Sequence, residues 1–336
     1  MDGLLVIDKP PGPTSHDVVA RMRRVLGERR IGHTGTLDPG ASGVLPLVIG
    51  RATRLAQFMS GADKVYEATI RLGVSTDSAD AQGIPVGPAH AGLLPDATVI
   101  DAALGAFRGT FDQQPPAFSA KKIHGTRSYR LARARPPRSS RGSDQGSDPG
   151  TDQGTDQGSD PGTDRGTDRG SDPGSDPVLP KAVRVTAHSI ELLAVDAADV
   201  RLRVHCSAGF YIRSLAHDLG QRLGTGAHLT SLRRTRAGAH ALEASLPLDA
   251  AERDPRQARD RVLPLSGLLP WLDAVALTPE GVRRAAHGCD LGAGDLDGPP
   301  PGGESPVRLL DREGQLVGIA YAVSGRALLH PSVILM

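Results

Sequence analysis

An α+β fold in two parts is predicted for this chain, on three observations. Its 336 residues suit about two domains, and a hydrophobic content of 38% is enough for a packed core. Strand patterns and amphipathic helix patterns both occur in the first 250 residues. A small β-rich tail of three short strand patterns closes the sequence.

Residues 3–9, GLLVIDK, read as a short buried strand that Pro10, Pro11 and Gly12 stop. Thr14 or Ser15 caps the helix that follows through HDVVARMRRVLG. There Val18, Val19, Met22 and Val25 recur at helical spacing, and Gly27 closes the run. The stretch 30–45, RIGHTGTLDPGASGVL, is dense in glycine, which lets backbone approach a ligand. Pro39 disfavours helix at Asp38, and Pro39-Gly40 reads as a turn. Asp38 thus sits on a stiff loop, either as a catalytic carboxylate or as a turn aspartate bonded to its own backbone.

Residues 43–50 read as a strand and 51–59 as a short helix, with Ala52, Leu55, Ala56 and Met59 on one face. KVYEATIRL, 64–72, alternates as a strand and puts Tyr66, Ala68 and Ile70 on one face. Tyr66 is either a core tyrosine or a ring that stacks on a base. STDSADAQG is a polar loop, and 97–108 a helix with Ile100, Ala103, Leu104 and Phe107 as its apolar face. FDQQPPAFSAKKIHGTRSYRLAR mixes aromatics with Lys121, Lys122 and Arg127. That mixture suits phosphates and bases, or else a solvated helix face.

From Ser143 a four-residue unit recurs as SDQG, SDPG, TDQG or TDRG, with no apolar residue. Such a segment has nothing to bury against its chain entropy and reads as disordered. Calcium-binding acidic repeats share the Asp-Gly pattern, but they need apolar residues that are missing here. Residues 139–177 hold nine aspartates and three arginines, a net −6, so a total of +1 leaves +7 on the remainder. The part outside the repeat is basic, which suits a polyanionic partner.

Residues 183–193 and 200–206 read as paired strands. Residues 207–210 form a turn, and 211–223 a helix with Ile212, Leu215, Ala216 and Leu219 inside. Arg213 lies at the head of that helix, as a phosphate contact or a solvated charge. Arg233, Arg234 and Arg236 add charge in SLRRTR. Residues 250–262 read as a charged helical connector, 279–287 as a helix, and 307–310, 316–323 and 327–330 as short strands. Cys206 and Cys289 are far apart and form no metal-type pair; a reducing cytosol is the simplest setting. No apolar run is long enough to span a membrane, and no signal segment opens the chain.

GHTGTLDPGASGVLPLVIGRATRL resembles the catalytic signature of the TruB-type tRNA pseudouridine synthases, which isomerise the uridine at position 55 in the T arm of tRNA. GLLVIDKPPGPTSHDVV resembles the opening of that family's catalytic domain, and the Lys64–Tyr66 pattern its second motif. HCSAGFYIRSL resembles its third, and GAHLTSLRRTRAG a further segment. The resemblance implies a pseudouridine-synthase-like catalytic domain over 1–250 with a mixed, mainly antiparallel sheet, and with the repeat as an insertion at 139–177. A connector at 251–267 and a small β-rich, PUA-like RNA-binding domain at 268–336 follow. For the last, only position and strand pattern carry the likeness, and a plain β domain is the alternative.

The resemblance also implies roles. Asp38 is the catalytic aspartate and Arg213 pairs with it, a task suited to a guanidinium that meets a carboxylate bidentately. Tyr66 packs on the target uracil, Tyr211 and Leu232 wall the pocket, and His33 holds the flipped nucleotide. From the residues alone, a core imidazole is an equal reading of His33. Lys9 and Pro10 buttress the Asp38 loop, and the Lys121, Lys122 and Arg127 stretch belongs to an RNA-clasping thumb; Arg233 and Arg234 touch RNA as well. The expected chemistry uses no cofactor and no metal. The uridine leaves the RNA stack, Asp38 acts as nucleophile or base, the C1′–N1 bond breaks, and the uracil rejoins through C5. Tyr66 stacks and helps remove the C5 proton. The expected partner is tRNA, bound by a monomer in the cytoplasm. An RNA-binding or tRNA-folding chaperone without chemistry is the other class. The aspartate of GHTGTLDPG, retained here, separates the two.

Overall fold

The computed structural model describes residues 1–116, 122–123, 126–127, 180–299, 303 and 305–336. Lys121 and the acidic repeat lie outside them. The chain forms two compact units, Met1–Gln113 with Ala182–Met336, and Gln114–Lys181. In the smaller unit Lys122–Ile123 pairs antiparallel with Thr126–Arg127.

The larger unit is built on an eleven-stranded sheet. Along its main path lie Leu246–Pro247, Gly3–Lys9, Ser42–Ile49, Ala227–Ala237, Lys64–Leu72, Asp199–Cys206, Val183–Asp196 and Gly109–Gln113. Two joints on the path are parallel, Leu246–Pro247 with Gly3–Lys9 and Ser42–Ile49 with Ala227–Ala237. The others are antiparallel, so the sheet is mixed and mainly antiparallel, as expected for this α+β class.

The sequence patterns say which strands are covered on both faces. GLLVI and VLPLVI are continuous apolar runs, the signature of a strand buried on each side. Leu5, Ile7, Leu45, Leu47 and Ile49 enter one core with the helices, while Leu4, Val6, Val44 and Val48 enter a second core on the opposite face. KVYEATIRL alternates, and only one face of that strand is well buried. Each fully buried Leu or Ile contributes about 1.5–3 kcal/mol.

Helix Ser15–Leu26 buries Val18, Val19, Met22 and Leu26 against the first core. Thr14 caps it in a reciprocal box with Asp17, and Gly27 ends it at φ 69°. Helix Ile212–Leu223 buries Ile212, Leu215, Ala216 and Leu219. Residues 51–59 differ from expectation: Gly50–Leu55 is a 3₁₀ helix that opens into Ala56–Ser60.

Several strands lie where no strand pattern was legible, the two longest of them Ala227–Ala237 and Gly109–Gln113. Ala227–Ala237 carries three arginines and two register shifts, between Leu229 and Ser231 and between Arg234 and Arg236, so no simple alternation survives. Gly109–Gln113 is a five-residue edge strand whose two β formers, Thr110 and Phe111, stand between Gly109 and Asp112, and its ladder to Val183–Ala187 holds it.

A small C-terminal β region has a four-stranded sheet, Ala274–Ala276, Val307–Leu310, Leu316–Ala322 and Leu329–Ile334, with helix Pro279–Ala286 on it. Leu277, Ala285, Leu309 and Val317 fill its own core. Leu316, Ile319, Val333 and Leu335 instead join Leu4, Val6, Val44 and Val48, so the region shares a core with the large sheet. Arg51 and Arg54 donate to the carbonyls of Leu335 and Ile334. Among the described residues, no helix is long and apolar enough to cross a membrane.

Candidate active site

Asp38 opens a turn in which the Ala41 amide donates to the Asp38 carbonyl, 3.0 Å, with Pro39 at the second position that suits its fixed φ. The loop is held from three sides. The buried Lys9 ammonium donates to the carbonyls of Pro10 at 2.9 Å, Pro39 at 3.3 Å and Ala41 at 2.6 Å. The Ser15 hydroxyl accepts from the Leu37 amide at 2.8 Å and donates to the Leu37 carbonyl at 3.1 Å. The Arg234 guanidinium donates to Val44 at 2.7 Å, Gly35 at 3.0 Å and Thr36 at 3.4 Å. The expected buttress by Lys9 is present. Its pKa is pushed down to about 8, chiefly by burial, with Asp38 opposing the fall.

Arg213 meets the loop from the first turn of helix Ile212–Leu223. Its Nε lies 2.9 Å from Asp38 Oδ2, and its side chain is 6% exposed while that of Asp38 is 42% exposed. The same Nε is 3.8 Å from Asp80 Oδ2, and Nη1 donates to the Ser78 carbonyl at 3.3 Å. Asp80 is itself fixed: its Oδ1 accepts from the Ser78 hydroxyl at 2.7 Å and the Gln82 amide at 3.0 Å. A half-open carboxylate is therefore gripped by a buried cation, which a second carboxylate holds in turn. Sequence reasoning missed Asp80. Its only signal was an aspartate among serines and threonines in STDSADAQG, a composition that also describes any turn.

An open cleft of about 520 Å³ lies over this pair, lined by Asp38, Asp80, Arg213 and the backbone run Leu229 to Leu232, among others. Leu232, expected as a pocket wall, is there. Tyr66 is not among the lining residues. It is 8% exposed and pairs in register with Arg234 and Val204. Its hydroxyl has Arg234 as a hydrogen-bond partner and lies within electrostatic reach of Asp38; burial raises its pKa.

The other expected site residues are dispersed. Tyr211 precedes the Arg213 helix, and its backbone exchanges hydrogen bonds with the Gln113 amide at 2.8 and 3.0 Å. His33 pairs with Leu47, and its ring stands edge-on to His16 at 5.4 Å. Arg233 donates to Asp8 at 2.8 Å and Ser42 at 3.2 Å. Arg234 corrects the expectation of an RNA contact. It is 1% exposed, spends its guanidinium on buried carbonyls, and has no surface to offer a phosphate. Lys122 and Arg127 lie on the paired strands of the smaller unit. A second, narrower hollow is lined by Thr34, Gly35, Lys64, Arg234, Gly238 and Trp271, the single tryptophan of the chain, half exposed.

Comparison with known proteins places the chain in a family. Residues 23–141 match the domain described as TruB family pseudouridylate synthase (N terminal domain), and 213–269 match the tRNA pseudouridylate synthase B C-terminal domain. The chain is 39% identical over 337 residues to the tRNA pseudouridine synthase B of Solibacter usitatus, covering 100% of both. It is 41% identical to that of Gloeobacter violaceus over 89% of each chain, and 38% identical to that of Thermobifida fusca over 96% of each. Among solved structures, a chain of an H/ACA RNP bound to a substrate RNA containing 2′-deoxyuridine has the same fold. Its TM-score is 0.66 at 24% identity, over 99% of this chain and 85% of that one. A chain of a Cbf5-Nop10-Gar1 complex gives a TM-score of 0.64 at 25% identity over the same shares.

Proposed function

The chain belongs to the TruB family of pseudouridylate synthases, and from that premise we propose that this tRNA pseudouridine synthase acts on the uridine at position 55 in the T arm, with Asp38 as its catalytic carboxylate. One observation carries the assignment. The Asp38 carboxylate is 42% exposed at the cleft, while the Arg213 guanidinium 2.9 Å behind it is 6% exposed. Covalent or base catalysis asks for a carboxylate open to its ligand and fixed before the reaction begins.

The target uridine leaves the RNA stack to reach the cleft. Asp38 then acts as nucleophile or base toward the ribose or uracil, and the C1′–N1 bond breaks. The uracil turns, C5 bonds to C1′, and the C5 proton is lost while N1 gains one, so the product is an isomer. Arg213 keeps the reacting oxygen aimed, and Asp80 keeps Arg213 aimed. Leu232 supplies an apolar wall, Tyr211 a second wall beside Arg213, and His33 a hold on the flipped nucleotide. Tyr66 stacks on the base. Its buried phenol retains its proton at neutral pH, which favours stacking over proton removal. Arg233, Lys122 and Arg127 serve phosphates, 268–336 acts as a PUA-like RNA-binding domain after a catalytic domain of 1–250, and the enzyme works as a cytoplasmic monomer without cofactor.

Tritium release from C5-labelled uridine tests the reading, with a T-arm hairpin set against one of scrambled loop. Release from the T-arm hairpin alone is expected. Equal release from both overturns the position, and release by Asp38→Asn at the wild-type rate overturns the catalytic assignment.

A further inference from the structure

We propose that Asp63, His188 and His205 form a binding site for a divalent transition metal, Zn²⁺ in the first place, on the sheet surface away from the cleft. The three side chains come from three neighbouring strands. Asp63 immediately precedes Lys64–Leu72, His205 lies near the end of Asp199–Cys206, and His188 is on Val183–Asp196. His205 stands opposite Val65 on one side and Ser189 on the other. The register slips between Ala187 and Ser189, so His188 is the additional residue of a bulge, a device that re-aims a side chain. Here the two imidazole centroids are 4.7 Å apart, inclined at 45°.

Both rings face one carboxylate oxygen. His188 Nε2 is 3.1 Å and His205 Nε2 is 3.7 Å from Asp63 Oδ2, and donor atoms of all three lie within 4.8 Å of one another. Zinc holds nitrogen and oxygen at about 2.0–2.2 Å, so donors around a tetrahedral ion stand about 3.3–3.6 Å apart. The two His–Asp separations, 3.1 and 3.7 Å, bracket that spacing, and a small turn of the exposed His188 adjusts its own donor to it. One imidazole suffices for a surface ion pair worth about 0–1 kcal/mol. A second on the same oxygen gains little unless a cation is shared. Two imidazoles and a carboxylate suit zinc and its neighbours better than calcium or magnesium, and leave a coordination position for water.

Arg236 is the group that opposes a cation, with Nη2 3.4 Å from His205 Nε2. It is exposed and free to swing into solvent. Burial, His188 and Arg236 together lower the His205 pKa, which favours the neutral ring that a metal requires. An ion here ties the bulge of Val183–Asp196 to the end of Asp199–Cys206 and to the start of the strand that carries Tyr66.

The test uses the full-length, untagged chain stripped with chelator. Zn²⁺ is titrated by calorimetry, Co²⁺ by visible absorption, and thermal unfolding is followed with and without Zn²⁺. One ion per chain is expected, with a rise in Tm on Zn²⁺ and a Co²⁺ spectrum of nitrogen ligation. The aspartates of 139–177 offer oxygen alone and cannot give that spectrum. His188→Ala and His205→Asn are each expected to weaken binding by at least about tenfold, since losing even an outer partner of a metal site costs that much. His330→Ala, which breaks the separate His330–Asp290 pair, leaves binding unchanged. His188→Ala without metal retains wild-type tritium release and the Tm of the stripped wild type, which shows that the variant folds. Binding by the His188→Ala/His205→Ala double variant equal to wild type, or no binding by wild type above that variant, overturns the site.

Discussion

Replacing Asp38 by Asn keeps the side chain's shape and removes the charge that any covalent or base role requires. Tritium release is expected to vanish, with hairpin affinity at fixed salt equal to or slightly tighter than wild type. Loss of folding instead would make Asp38 a turn residue only. Tyr66→Phe keeps the ring, so binding stays normal; Tyr66→Leu loses stacking worth about 1–3 kcal/mol per base and is expected to weaken binding. Lys9 gives a pH signature. Its pKa falls to about 8 in the folded chain, whereas an unfolded lysine titrates near 10.4. Between about 8 and 10.4 the unfolded chain binds the extra proton, so Lys9's contribution to stability rises with pH across that window. Activity moves the other way, because the charged ammonium is the form that grips the carbonyls around Asp38. Release should decline above about pH 8 without a matching loss of thermal stability, and Lys9→Met should show neither trend. At this scale Asp38, Arg213 and Lys9 were legible, because short, specific stretches carry them. Arg234 was not: it stands beside Arg233 in the same SLRRTR run, and only the register decides which of the two is buried.

The elements show where local pattern suffices and where it does not. Strand Gly3–Lys9 and helix Ser15–Leu26 announce themselves through apolar runs, a cap and a closing glycine. Strand Ala227–Ala237 does not, although it is central, because two register shifts break its alternation and its arginines are satisfied only by groups far away in sequence. Its parallel joint with Ser42–Ile49 is short, Arg233 to Ser42 and Arg234 to Gly43. Gly43 has φ +104°, and a Cβ there would lie 2.1 Å from the Arg234 carbonyl oxygen and 2.8 Å from its amide nitrogen. Gly43→Ala must push the two strands apart exactly where Arg234 reaches the Asp38 loop. A destabilisation of about 1–3 kcal/mol is expected in denaturant unfolding, the range for overpacking. Tritium release should fall further than the folded fraction does; a fall matching that fraction would confine the effect to stability.

Across the whole molecule, charge is divided between the basic remainder and the acidic repeat. Deleting residues 143–176, which hold nine aspartates and two arginines, raises the net charge from +1 to +8. Replaced by a short glycine linker, the deletion should leave the melting temperature and turnover on the T-arm hairpin near wild type, and tighten binding to unrelated RNA at low salt. A deletion protein that does not fold would show that the repeat is more than a spacer. The C-terminal β region was legible as strands, but its shared core with the catalytic sheet was not, since Leu316, Ile319, Val333 and Leu335 read equally well as an internal face. That junction places Trp271, the chain's lone indole, in the hollow formed with Gly35, Lys64 and Arg234, and Gly35 stands three residues before Asp38. The protein thereby carries its own optical probe. Intrinsic emission needs no added dye, and in Asp38→Asn, where chemistry is stopped, a stopped-flow trace would isolate the steps by which RNA seats itself before any bond is broken.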